Sequence, residues 1–242
     1  MTRPSAPATK RGFGVTARKD RWWLTPVLTF LGLSAFIIYS MWAALQGEHY
    51  AYGPYLSPFY SPLIFSPDPH HLGHSWFGEN PTWYPFSLAF LILRAPAAFR
   101  FTCYYYRGAY YKPFWAAPPS CAVGEPRKSY LGENSFPLIL QNVHRYFLYV
   151  AMLFLVLLAY DTWKAMWFET ENGVEFGIGV GTLVLAVNVI LLSGYTLGCH
   201  SLCHFVGGLM NRISGTPVRM QAYRCVSCLN HGHMRWAWCS LF

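Results

Sequence analysis

Four long apolar runs constrain this chain more than any other feature. They cover residues 23–45, 84–101, 138–160 and 176–197. Each approaches or exceeds the ~20 residues that cross the hydrocarbon layer of a bilayer as a helix. A spanning segment must satisfy its own backbone hydrogen bonds, and a helix does so within a single run. The expected fold is therefore an all-α integral membrane bundle of about five transmembrane helices. The second run is the weakest, because it holds Arg94 and Pro96. A fifth begins near residue 229 and stops at Phe242, too short to span, so we expect that element to continue past Phe242. Composition agrees with the runs. Charged residues make up 12% of the chain, where a soluble domain carries about 25%. A hydrophobic share of 54% excludes a disordered chain. Seven cysteines in 242 residues exclude a small disulfide scaffold.

The formal net charge of +8 first suggests nucleic acid as a partner. Its distribution points to the membrane instead. Arg3, Lys10, Arg11, Arg18, Lys19 and Arg21 precede the first run; Arg100, Arg107, Lys112, Arg127 and Lys128 follow the second; Arg212, Arg219 and Arg224 follow the fourth. The two alternate loops, 47–82 and 161–176, hold only Lys164 among basic residues, together with seven of the ten acidic ones. The positive-inside bias places the N-terminus in the cytoplasm, with 14 basic residues inside against one outside. No nucleic acid is needed to explain the charge. Residues 1–22 read as a basic cytoplasmic segment and 23–242 as the transmembrane domain. The first run is too long for the apolar core of a secretory signal peptide. The outer loop 47–82 carries prolines at 54, 58, 62, 67, 69 and 81 among many aromatics. Flexible polar linkers lack such side chains, so an ordered cap over the helix ends is expected.

Nine histidines and seven cysteines are the candidate chemistry. In this topology Cys103, Cys121, His144, Cys199, His200, Cys203, His204, Cys225, Cys228, His231 and His233 all fall near the cytoplasmic face. Thiols there are poor disulfide partners in a reducing compartment and better metal ligands or packing residues. A lone imidazole in an apolar helix needs a partner, which singles out His144 and His200. Two cofactors suit such a set. Haem b needs two axial histidines on facing helices, and His144 with His200 or His204 would serve. A Rieske-type [2Fe–2S] centre needs two cysteines and two histidines, which Cys103, Cys121, His144 and one further histidine would supply. The bland readings are a structural hydrogen bond for His144 or His200 and simple packing for Cys239. Cys225 and Cys228 form half a zinc motif without a second CxxC. His70, His71 and His74 form either a solvated loop cluster or an outer metal site.

Several motifs resemble one family. Phe101-Thr-Cys-Tyr-Tyr-Tyr-Arg107, Ala109-Tyr-Tyr-Lys-Pro-Phe-Trp115 and Pro118-Pro-Ser-Cys-Ala-Val123 look like the membrane subunit of actinobacterial succinate dehydrogenase, respiratory complex II. Gln141-Asn-Val-His-Arg-Tyr-Phe147, Leu197-Gly-Cys-His-Ser-Leu-Cys-His204 and Leu229-Asn-His-Gly-His-Met234 continue the likeness. It implies a multi-pass subunit of the bacterial plasma membrane that anchors a flavoprotein and an iron–sulfur subunit. The anchor would pass their electrons to a quinone, menaquinone being expected. It further implies, for the mycobacterial type, a Rieske-type cluster in place of haem, with Cys103, Cys121 and His144 at ligand positions. His233 is the expected fourth ligand, His200 or His204 its alternates, and Cys199 the substitute for one thiolate. Tyr106, Arg107, Arg145 and His204 are the expected quinone contacts, unless the aromatics simply belong to an interfacial belt. No turnover is expected from this chain alone, since it lacks a flavin or nucleotide motif. A haem b anchor of the same complex is the alternative. A non-redox transport or metal-handling protein is the alternative of another class, disfavoured by the lack of internal repeats.

Overall fold

The computed structural model describes residues 12–66, 75–84, 86–115, 117–127, 134–136, 138–208 and 215–241. In chain order these form α1 (Leu24–Gln46), a hairpin of β1 (Ala51–Tyr52) and β2 (Tyr55–Leu56), α2 (Leu88–Thr102) and α3 (Tyr104–Tyr106). A π-helical turn, Arg107–Tyr111, leads to α4 (Lys112–Trp115) and α5 (Leu140–Lys164). Then come β3 (Trp167–Thr170), β4 (Gly173–Phe176), α6 (Val180–Leu197), α7 (His200–Gly207), α8 (Pro217–His231) and α9 (His233–Cys239). Among the described helices, α1, α5 and α6 are long and apolar enough to cross a membrane. Their outward faces carry Leu28, Leu31, Ile38 and Leu45 on α1, Leu153 and Val156 on α5, and Val184, Val187 and Ile190 on α6, all exposed. Apolar surface of that extent suits lipid and not water.

The second apolar run forms a shorter helix than its length suggests. Helix α2 has 15 residues and keeps Pro96 inside it. Proline lacks the N–H that would bond the Ile92 carbonyl, yet an apolar helix in a membrane tolerates the lost bond. The last run is not one helix either: Gly232 separates α8 from α9.

Contacts divide the chain into two units. The first comprises residues 1–37 and 101–142. Here the N-terminal segment is strapped to the loop around Cys121. Gly14 N–H donates to the Gly124 carbonyl (3.0 Å), Gly124 N–H to the Val15 carbonyl (2.8 Å) and the Thr16 hydroxyl to the Ala122 carbonyl (2.7 Å). The backbones approach so closely that a Cβ on Gly124 would collide with the Gly12 carbonyl oxygen. Arg18 donates to Ser120 Oγ (2.9 Å) and to the Cys121 carbonyl (2.8 Å). Asp20 fixes the same guanidinium, and that hydrogen bond holds the Asp20 carboxyl below its ordinary pKa. Deeper in the unit, Phe30 stacks on Tyr110 (5.3 Å) and meets Phe114 edge-on.

The second unit comprises residues 38–100 and 143–242. Its outer-loop segment packs as a core: Leu56, Tyr60 and Leu63 are buried with Ala44 of α1 and Leu88, Ala89 and Ile92 of α2, and Phe154 of α5 lies against them. Tyr50 meets Tyr60 edge-on at 4.3 Å. The buried Ser61 hydroxyl donates to the Asp161 carboxylate near the end of α5. Strands β3 and β4 form an antiparallel hairpin that joins α5 to α6, with Gly173 at φ 119° just after the turn. Thr182, in the first turn of α6, donates to the Ala165 carbonyl (2.8 Å) and so ties that turn back to the end of α5.

Candidate functional site

Six helix ends, those of α2, α5, α6, α7, α8 and α9, assemble the most concentrated chemistry of the second unit. Helix α6 ends at Gly198, whose carbonyl accepts a hydrogen bond from the Asn230 side chain of α8 (2.7 Å). That bond satisfies a carbonyl that has no partner within its own helix. Gly194 lets α9 approach: a Cβ there would sit 2.5 Å from the Trp236 ring. With α8 and α9 held on α6, His233 opens α9 and stacks on Tyr195 of α6, ring centroids 5.0 Å apart and planes 17° off parallel. Tyr195 is buried and presents its ring edge-on to Phe99 of α2 at 5.5 Å. Phe99 in turn lies flat on His144 of α5, 4.5 Å away with planes 10° apart. The result is an unbroken aromatic column, His144–Phe99–Tyr195–His233.

Both ends of the column are held by polar contacts. His144 is 4% exposed, and its Nε2 lies 3.0 Å from the thiol of Cys199, itself buried at the start of α7. The His144 ring also hydrogen-bonds the Phe99 main chain. At the far end, the Arg100 guanidinium covers Tyr195 at 4.7 Å. The same guanidinium donates to the Ser240 carbonyl and hydroxyl, each at 2.9 Å. Arg100 thus clamps the C-terminal end of α9. His233 lies within electrostatic reach of His144, Arg100 and His200. Outside the column, the exposed His200 and His204 of α7 place their Nε2 atoms 3.0 Å apart.

The remaining expected residues fall as follows. Cys103 is buried in the first unit just before α3, its carbonyl accepting the Arg107 N–H (2.9 Å). Cys121 is exposed in the strapped loop of that unit. Tyr106 and Arg107 also belong to the first unit and are buried. Arg107, only 1% exposed, lies over the Tyr104 ring at 5.1 Å, with Nη1 3.4 Å from the Leu138 carbonyl it donates to. In the second unit Arg145 is exposed and donates to the Tyr146 hydroxyl (3.2 Å). Cys225, Cys228 and Cys239 are exposed thiols. His233 turns toward Tyr195, so the half zinc motif gains no third partner from it. His70, His71 and His74 lie outside the described residues. Among the described residues no three His, Cys, Asp or Glu side chains gather as a metal site. Sequence reasoning missed Phe99, Arg100 and Tyr195, which carry no motif. Arg100 counted only as a topological charge.

Fold and site together define a multi-pass helical membrane anchor with buried imidazole and thiol groups at one set of helix ends. The chain matches, over residues 24–242, the family described as actinobacterial succinate dehydrogenase subunit SdhC, and it belongs to that family. It is also similar to a chain of the Mycobacterium smegmatis Sdh1 complex in the apo form. The two are 44% identical with a TM-score of 0.83, over 99% of this chain and 88% of that one. No curated protein matches it. It is thus the membrane anchor subunit of a succinate dehydrogenase, a multi-pass component of a bacterial plasma-membrane oxidoreductase that associates with the complex's other subunits.

Proposed function

We propose that this anchor delivers electrons from the iron–sulfur subunit to a membrane quinone, and that a Rieske-type [2Fe–2S] cluster resides in it. The proposed ligands are Cys103, Cys121, His144 and His233, with Cys199 and His200 as alternates. The observation that carries the reading is the buried pairing of His144 Nε2 with a thiol at 3.0 Å, with a second imidazole, His233, in electrostatic reach. This donor chemistry fits such a group, since it requires imidazole nitrogens and thiolates in one water-poor place. The inclusion of Cys103 and Cys121 rests on the motif resemblance. When bound, the cluster supplies a one-electron carrier whose histidine ligation raises its potential above that of an all-cysteine centre.

The chain's own residues prepare that place. Phe99 shields one face of His144 from water, and its main chain hydrogen-bonds the ring. Tyr195 and Arg100 hold His233 in orientation. Tyr106, Arg107, Arg145 and His204 are the proposed quinone contacts, offering hydroxyl, guanidinium and imidazole donors to carbonyl oxygens.

Electron paramagnetic resonance and iron analysis of the purified complex test this reading. We expect a reduced [2Fe–2S] signal with the low average g of histidine ligation. His144→Ala should abolish it and remove about two irons per complex. A complex whose iron content is indifferent to His144→Ala and Cys103→Ser, or a bis-histidine Soret band lost with His144, would overturn it.

A further inference from the structure

The exposed pair His200 and His204 is absorbed by neither the fold nor the column. The two residues lie four apart on α7, so they share one helix face. Their rings are nearly perpendicular (87°), with centroids 4.5 Å apart and Nε2 atoms 3.0 Å apart. A metal–nitrogen bond is about 2.0–2.1 Å, so two imidazoles sharing one ion at right-angled to tetrahedral geometry hold their nitrogens about 2.9–3.4 Å apart. The observed separation falls in that window; the two rings hydrogen-bond each other there, and an ion entering between the nitrogens would displace the shared proton. Nothing covers the pair among the described residues, since both histidines are exposed. Cys203, between them in sequence, hydrogen-bonds toward Ser227 instead.

We propose that His200 and His204 form a surface chelate for one borderline divalent transition-metal ion of the zinc or copper type, separate from any iron centre in the buried column. Imidazole nitrogens favour such ions over magnesium or calcium, which take oxygen ligands. Water fills the remaining coordination positions on the open side. The proposal rests on the iron-cluster reading in one respect: it requires His233, and not its alternate His200, to be the second imidazole at the iron.

The test is Zn2+ titration of the intact purified complex, followed by calorimetry and metal analysis. The copper-loaded complex is examined in parallel by electron paramagnetic resonance. The expected result is saturable binding of one ion per chain that is lost in both His204→Ala and His204→Gln and retained in His231→Ala. Copper should show superhyperfine splitting from two nitrogens, and the iron signal should persist in the His204 variants. Binding that survives both His204 substitutions, or the absence of saturable binding in the unaltered complex, would overturn the proposal.

Discussion

Gly194 shows how much one missing side chain does for the site. Tyr195 can stack on His233 only because Trp236 packs against bare backbone one residue earlier, where a Cβ would meet the indole at 2.5 Å. Gly194→Ala forces either the indole or the helix aside. Overpacking of this kind costs about 1–3 kcal/mol. The expected outcome is a lower midpoint in thermal unfolding of the detergent-solubilised complex, and an unchanged midpoint would show that Trp236 has room to swing away. At this scale the sequence was partly legible. An imidazole within an apolar run announces itself, because a polar ring in hydrocarbon needs a partner, and that reasoning found His144 and weighed Cys199. It did not find Phe99 or Tyr195, since a ring in an apolar helix looks the same whether it faces lipid or covers a histidine.

Among the elements, the ends matter more than the spans. Asn230 on α8 satisfies the last carbonyl of α6, and this bond helps position α9 and its first residue, His233. Asn230→Ala leaves that carbonyl without its partner, at a cost of about 1–3 kcal/mol. We expect faster hydrogen–deuterium exchange across residues 194–199 and 233–239, with α5 unaffected; equal exchange in both proteins would remove the cap from the account. The elements were unequally readable. The runs that became α1, α5 and α6 carry few charges, and length with hydropathy alone locates them. Helix α8 is polar and hides from any hydropathy reading, although Thr216-Pro217 offers a helix-start signal with proline in its first turn. The break at Gly232 also escaped notice, because an Asn-His-Gly-His string does not betray where a glycine interrupts a helix and where it merely sits in one.

For the whole molecule, the charge asymmetry makes a topological prediction. The β3–β4 turn joins α5 to α6 in a loop rich in Glu and poor in Lys and Arg. Glu171→Cys should therefore react with a membrane-impermeant maleimide added to intact spheroplasts, while the native cysteines stay unlabelled until the membrane is opened. Labelling of the native thiols alone would invert the orientation. Overall architecture was the most readable level, because the bilayer admits so few solutions to the backbone hydrogen-bond problem. The division into two units was not readable, since residues 101–142 join the N-terminal segment across a long sequence separation.

Phe99 and Arg100 are neighbours in the chain, yet one roofs His144 while the other clamps the helix that carries His233. A single peptide unit at the close of α2 therefore governs two rings contributed by separate helices. Any tilt or rotation imposed on that terminus by a docking subunit reaches both imidazoles at once, so their settings are geared together instead of being adjusted independently.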